Sequence, residues 1–168
     1  FTPLDGIIMG TRCGSIDPSI VSYIANLENL HERGMNRLLN NESGLLGVSG
    51  VSSDFRDVLE EAENGNERAQ LAADMLEYQL VKLIGSYAAA LGGVDAILFT
   101  GGIGENAMGL REQVMHDLAY LGVTADLAAN NSRGEEVRIS GADSKVEVWV
   151  VPTNEEIMIA RDTAELIK

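Results

Sequence analysis

The sequence predicts one α/β domain, and three observations carry that expectation. Apolar residues recur at helical spacing from about Asn66 to Leu91 and stop at Gly92-Gly93. A short, nearly unbroken apolar run, Val94 to Phe99, follows, and a glycine-rich turn then feeds a second helical pattern. The 168 residues, 45% hydrophobic and 23% charged with 18 Gly, are ordinary for one domain that buries its own core without staples, and they exclude disordered and collagen-like chains.

Asp17 as N-cap with Pro18 at the first helical position starts a helix to about Leu27, and a second runs from about Glu32 to Asn40. Ser43 to Gly50 reads as a loop with at most one brief strand, and Ser52-Ser53-Asp54 as the next helix start. In the long helix, Ala72, Met75, Leu76, Leu80, Leu83, Ile84, Tyr87, Ala88 and Leu91 predict one continuous buried stripe. The run to Phe99 predicts a parallel, central strand covered on both faces. Thr100 to Asn106 is then a loop, followed by a helix carrying Leu110, Val114, Met115, Leu118 and Leu121. After a polar connector, Val137 to Ile139 and Val146 to Val151 read as strands, and Thr153 onward as a final helix to Lys168.

With 12 basic against 26 acidic side chains the net charge is −14, which argues against nucleic acid as a partner. Cys13 alone makes no internal disulfide, no run approaches the roughly 20 apolar residues of a membrane span, and a cytoplasmic protein is expected. The opening Phe1-Thr2-Pro3-Leu4 lacks an initiator Met and a signal core and reads as a cut end.

Several segments have the residue types of a binding site. A strand running through glycines into a helix lets bare backbone approach an anion or a nucleotide, although a plain tight turn has the same spacing. Gly102-x-Gly104-x-x-Ala107 with Asp126 further on also fits a loose dinucleotide fingerprint. A P-loop is excluded, because none of Lys82, Lys145 and Lys168 follows a glycine loop. Arg12, between Gly10 and Gly14, suits a phosphate or a carboxylate partner, the ion pair being the commoner use. Cys13 beside it reads as a small buried thiol. Asp54-Phe55-Arg56 is either a helix cap or an aromatic face with a cation offered to a base or ribose. Thr153-x-x-Glu156 fits a capping box, leaving Glu155 for Mg²⁺ or for the helix dipole. His31 and His116 lack companions at metal-ligand spacing, and Glu60 to Glu67 reads as a solvated face.

Four ordered segments together resemble the acetate kinase family: Phe1 to Gly14, Gly50 to Arg56, Phe99 to Asn106, and Pro152 to Glu156. The resemblance covers the whole chain but only the C-terminal part of such an enzyme, so residues 1–168 are expected to be its C-terminal nucleotide-binding domain, with the N-terminal domain absent. It implies the actin-like ATPase, RNase-H-like fold of the acetate and sugar kinase superfamily, and reversible transfer of a phosphoryl group between ATP and acetate, giving ADP and acetyl phosphate.

By motif, the resemblance makes Arg12 catalytic. Asp54, Phe55 and Arg56, with Gly102, Ile103, Gly104, Glu105 and Asn106, become the adenine nucleotide segments, and Glu155 the Mg²⁺-associated carboxylate. It further implies a homodimer, propionate kinase as the neighbouring alternative, and little activity in this chain by itself. A dinucleotide-binding oxidoreductase module and a non-catalytic dimerisation domain are the other classes.

Overall fold

The computed structural model describes residues 2–167, and the chain divides into two compact units, Phe1–Tyr87 and Ala88–Lys168.

The first unit is helical. Helix α1 (Pro18–Leu27) starts where expected, with the Asp17 carboxylate accepting from the Ser19 N–H at 2.8 Å. It is followed by α2 (Glu32–Asn41), α3 (Gly44–Ser49), α4 (Phe55–Glu63) and α5 (Glu67–Leu91), whose last turn lies beyond the unit boundary. Helix α3 stands where a loop with at most one brief strand was expected. Its glycines and serines give no local helix signal, and its first N–H groups are satisfied from a distant segment. Leu45 and Val58 are fully buried, with Met35, Phe55 and Leu76 at 7% exposure or less. Of the stripe on α5, Ala72, Leu76 and Ala88 are buried, but Tyr87 and Leu91 are 64% and 77% exposed, so the burial is not continuous.

The second unit is built on a three-stranded sheet of order β1-β3-β2, formed by β1 (Ala96–Phe99), β2 (Val137–Arg138) and β3 (Glu147–Val150). β1 is parallel to β3, in register Ala96 with Glu147 through Phe99 with Val150, and β2 is antiparallel to β3. The predicted strand is therefore parallel but not central. β3 takes the middle because it carries ladders on both sides, burying Val148 and Val150 completely. β1 is an edge whose Leu98 is 59% exposed. An apolar run announces a strand, but it does not reveal how many neighbours the strand has.

After β1 come α6 (Gly101–Asn106), α7 (Met108–Asp117), a 3₁₀ turn (Ala119–Leu121), α8 (Leu127–Asn130) and α9 (Glu155–Leu166). Two features depart from expectation. The glycine segment is a short helix rather than a loop, and the polar connector contains α8. Helix α9 ends at Leu166, and Lys168 lies outside the described residues.

Candidate functional site

The site residues fall into two groups, one in each unit. In the first unit, the Met9 N–H bonds the Arg12 carbonyl at 3.2 Å and folds the segment into a tight turn. The carbonyls of Met9, Gly10 and Thr11 accept from the N–H groups of Leu45, Leu46 and Ser43 at 2.8, 3.0 and 3.0 Å. The turn thereby satisfies donors at the start of α3 that a side-chain cap would otherwise serve; Ser43 instead donates its hydroxyl to the Leu38 carbonyl at 2.7 Å.

Gly44 makes this approach possible. It sits at φ +67°, and a Cβ there would collide with the Met9 carbonyl oxygen and lie 2.8 Å from that of Arg12. Further ties run from Thr11 Oγ1 to the Asn40 carbonyl (2.8 Å), from the Cys13 N–H to the Leu39 carbonyl (2.9 Å) and from the Ile8 N–H to Gln79 Oε1 on α5 (2.6 Å). A Cβ on Gly10 would come within 2.9 Å of the Ser53 carbonyl oxygen, so the turn lies against the residue preceding Asp54.

The result is a cavity of about 380 Å³ lined by Met9 to Arg12, Asn40, Asn41 and Ser53. Among the described residues Arg12 makes no ion pair, and its hydrogen bond to the Pro3 carbonyl is long, at 3.5 Å. Asn40 and Asn41 were not read from the sequence, where they mark only the end of α2. Cys13 is half-buried, and burial pushes its thiol up, away from thiolate chemistry.

Asp54 caps α4, accepting from the Arg56 N–H at 2.9 Å, and also pairs with the Arg56 guanidinium, with Nε at 3.0 Å. These bonds from Arg56 hold the Asp54 carboxyl down at about 2. Phe55 does not present an aromatic face: it is 5% exposed, pointing into the core from the first turn of α4. Only Asp54 and Arg56 of this trio have appreciable surface.

In the second unit, Glu105 joins α6 to the start of α9. Its Oε1 accepts from the Thr153 N–H at 2.9 Å and from Thr153 Oγ1 at 3.1 Å. The Thr153 N–H bond, with smaller help from the Thr153 hydroxyl and the Gly101 N–H, lowers the Glu105 carboxyl below its ordinary value. The expected capping box is absent as a consequence, because the Thr153 N–H goes to Glu105 rather than to Glu156. Asn154 caps α9 instead, accepting from the Ile157 N–H at 3.1 Å.

Glu155 occupies the first turn of α9, exposed. The Glu105–Thr153 bonds thus tie α6 to the segment that leads into α9, whose first residue is Glu155. Among the described residues no group of three or more acidic, His or Cys side chains makes a metal cage. A lone exposed carboxylate suits Mg²⁺, which keeps most of its waters and shares phosphate oxygens.

Asp126 is the N-cap of α8, accepting from the Ala129 N–H at 3.0 Å, with no strand ending at it, so the dinucleotide fingerprint loses its ribose-binding acid. His31 and His116 are exposed, and His116 Nδ1 lies 3.0 Å from Asp117 Oδ1. No helix among the described residues is long and apolar enough to cross a membrane.

The sequence model of the Acetokinase family matches residues 1–161. The acetate kinase of Symbiobacterium thermophilum is 56% identical over 168 residues, which cover all of this chain and 42% of that protein. The crystal structure of Porphyromonas gingivalis acetate kinase superposes with a TM-score of 0.92 at 49% identity, over 99% of this chain and 42% of the other. A propionate kinase from Francisella tularensis follows with a TM-score of 0.85 at 41% identity, over 95% of this chain and 40% of its own. The fold is thus the actin-like ATPase fold that the motifs implied. The chain spans about two-fifths of the length of the relatives it matches. On the family match and these likenesses, the chain belongs to the acetokinase family.

Proposed function

We propose that residues 1–168 are the C-terminal, nucleotide-binding part of an acetate kinase that interconverts ATP and acetate with ADP and acetyl phosphate. The observation that carries this reading is Arg12, a guanidinium with no carboxylate partner among the described residues, lining a polar cavity in a chain of charge −14. An acetate oxygen attacks the γ-phosphorus of ATP, and the bond to the bridging oxygen breaks with its electrons leaving on ADP. Such transfer asks for positioning and charge neutralisation more than for covalent help.

Arg12 neutralises the charge on the transferring group. Asp54 and Arg56, on the turn that Phe55 anchors in the core, and Gly102, Ile103, Gly104, Glu105 and Asn106 hold the adenine nucleotide. Glu155 would hold Mg²⁺, which when bound supplies further positive charge at the phosphates. Acetate is preferred to propionate because the acetate kinases of Halothermothrix orenii and Symbiobacterium thermophilum match at 52% and 56% identity, against 41% for the Francisella tularensis propionate kinase. The enzyme is a cytoplasmic homodimer in this reading.

The test is hydroxamate formation from acetate and ATP. The purified chain is expected to show little or none, whereas a chimera in which it replaces the matching segment of the P. gingivalis enzyme is expected to turn over. A folded but inactive chimera refutes the proposal. Calorimetric titration of the chain with ADP and Mg²⁺ tests the nucleotide segments separately.

A further inference from the structure

Arg111, on α7, is 0% exposed and has no ion-pair partner among the described residues. All five of its N–H donors end on neutral oxygens. Nε donates to Asn130 Oδ1 at 2.9 Å, and Nη2 to the carbonyls of Asn130 and Ser132 at 2.7 and 2.9 Å. Nη1 donates to the carbonyls of Gly104 and Glu105 at 2.9 and 2.7 Å. A buried charge without a counter-charge is costly, and this one is tolerated because its whole donor set is matched.

The acceptors show what the group holds. Gly104 and Glu105 sit near the C-terminal end of α6, where carbonyls lack helical partners and positive charge is favoured. The remaining acceptors lie at the end of α8 and in the turn after it. Asn130 is itself fixed by donating Nδ2 to the Met108 carbonyl at 3.0 Å. The main chain of Glu105 is therefore pinned on one side, while its carboxylate reaches Thr153 on the other.

We propose that Arg111 is a positioning residue for nucleotide binding: it clamps the carbonyls of Gly104 and Glu105 and so presets the Gly102 to Asn106 segment and, through the Glu105–Thr153 contact, the turn that carries Glu155. The inference rests on Gly102 to Asn106 being the nucleotide segment. Arg111 itself touches no nucleotide. Lysine cannot replace it, because an ammonium has three donors on one atom and cannot serve five acceptor contacts spread over two segments.

The test is calorimetric titration of the chain, of Arg111→Lys and of Thr153→Val with ADP and Mg²⁺, together with ¹H–¹⁵N spectra of the arginine Nε–H. The Arg111 Nε–H of the unaltered chain is expected to exchange slowly and to shift on ADP addition. Arg111→Lys is expected to bind ADP about tenfold more weakly at temperatures where its circular dichroism shows it folded, and Thr153→Val about threefold more weakly. A purely structural role would lower the melting temperature and leave the affinity of the folded variant unchanged, which overturns the proposal. Should Arg111→Lys not fold, an unmoved Nε–H resonance with an unchanged affinity in Thr153→Val overturns it equally. No heat from the unaltered chain at millimolar ADP would instead bring down the nucleotide assignment, and the positioning role with it.

Discussion

Arg12 makes no ion pair among the described residues of a protein of net charge −14, and it lines the cavity of the first unit, where its guanidinium can meet an anion. In the active chimera, Arg12→Ala is expected to lower kcat by a factor on the order of 10³, the range in which arginines stabilise phosphoryl transfer. A loss below tenfold in the hydroxamate assay would remove it from the catalytic role. Asp54 shows the opposite condition, a carboxylate already held by Arg56. Its pKa is depressed from 3.8 to about 2, so the stability it contributes is present above pH 3.8 and is lost as the pH falls toward 2. Titration of the Asp54 carboxyl carbon by NMR is expected to show a midpoint near 2, and one near 3.8 would refute the pairing. Because both groups are exposed, the energetic contribution is that of a surface pair and small.

At the scale of elements, the turn bearing Arg12 and the start of α3 stand or fall together. Gly44→Ala forces an L-residue to φ +67° and sets a methyl against three carbonyl oxygens. The conformation alone costs about 1–2 kcal/mol, and the contacts add to it. Urea denaturation is expected to show at least that loss, with the amide resonances of Met9 to Arg12 displaced. Leu45→Ala, one residue on and fully buried, is expected to cost about 2–5 kcal/mol by the same measurement. Elements fixed by neighbours in sequence were legible. Asp17-Pro18 and Asp54 cap their helices as read, and Gly92-Gly93 follows the last residue of α5. Elements fixed from afar were not. The first N–H groups of α3 are served by carbonyls of Met9 to Thr11, and the N–H that a capping box would have used at Thr153 is taken by Glu105, 48 residues earlier. Arg111 gave no signal at all, since a buried guanidinium and a surface one look alike within an amphipathic pattern.

At the scale of the molecule, composition disclosed the charge, and four motifs disclosed the family, because each motif is a contiguous run whose residues work together. What they could not disclose was the surroundings of each run, as Phe55 shows by being buried inside the trio that was to offer it. The position of β1 has a practical consequence. A sheet margin with an exposed leucine offers unpaired peptide groups to any other strand in solution, and natural proteins guard such margins with charge. Concentrated preparations of the isolated chain are therefore expected to form assemblies that bind thioflavin, at a rate that rises steeply with concentration. Leu98→Lys should slow that growth severalfold while leaving far-UV circular dichroism unaltered, so one lysine on the outer face of the strand would act as a gatekeeper.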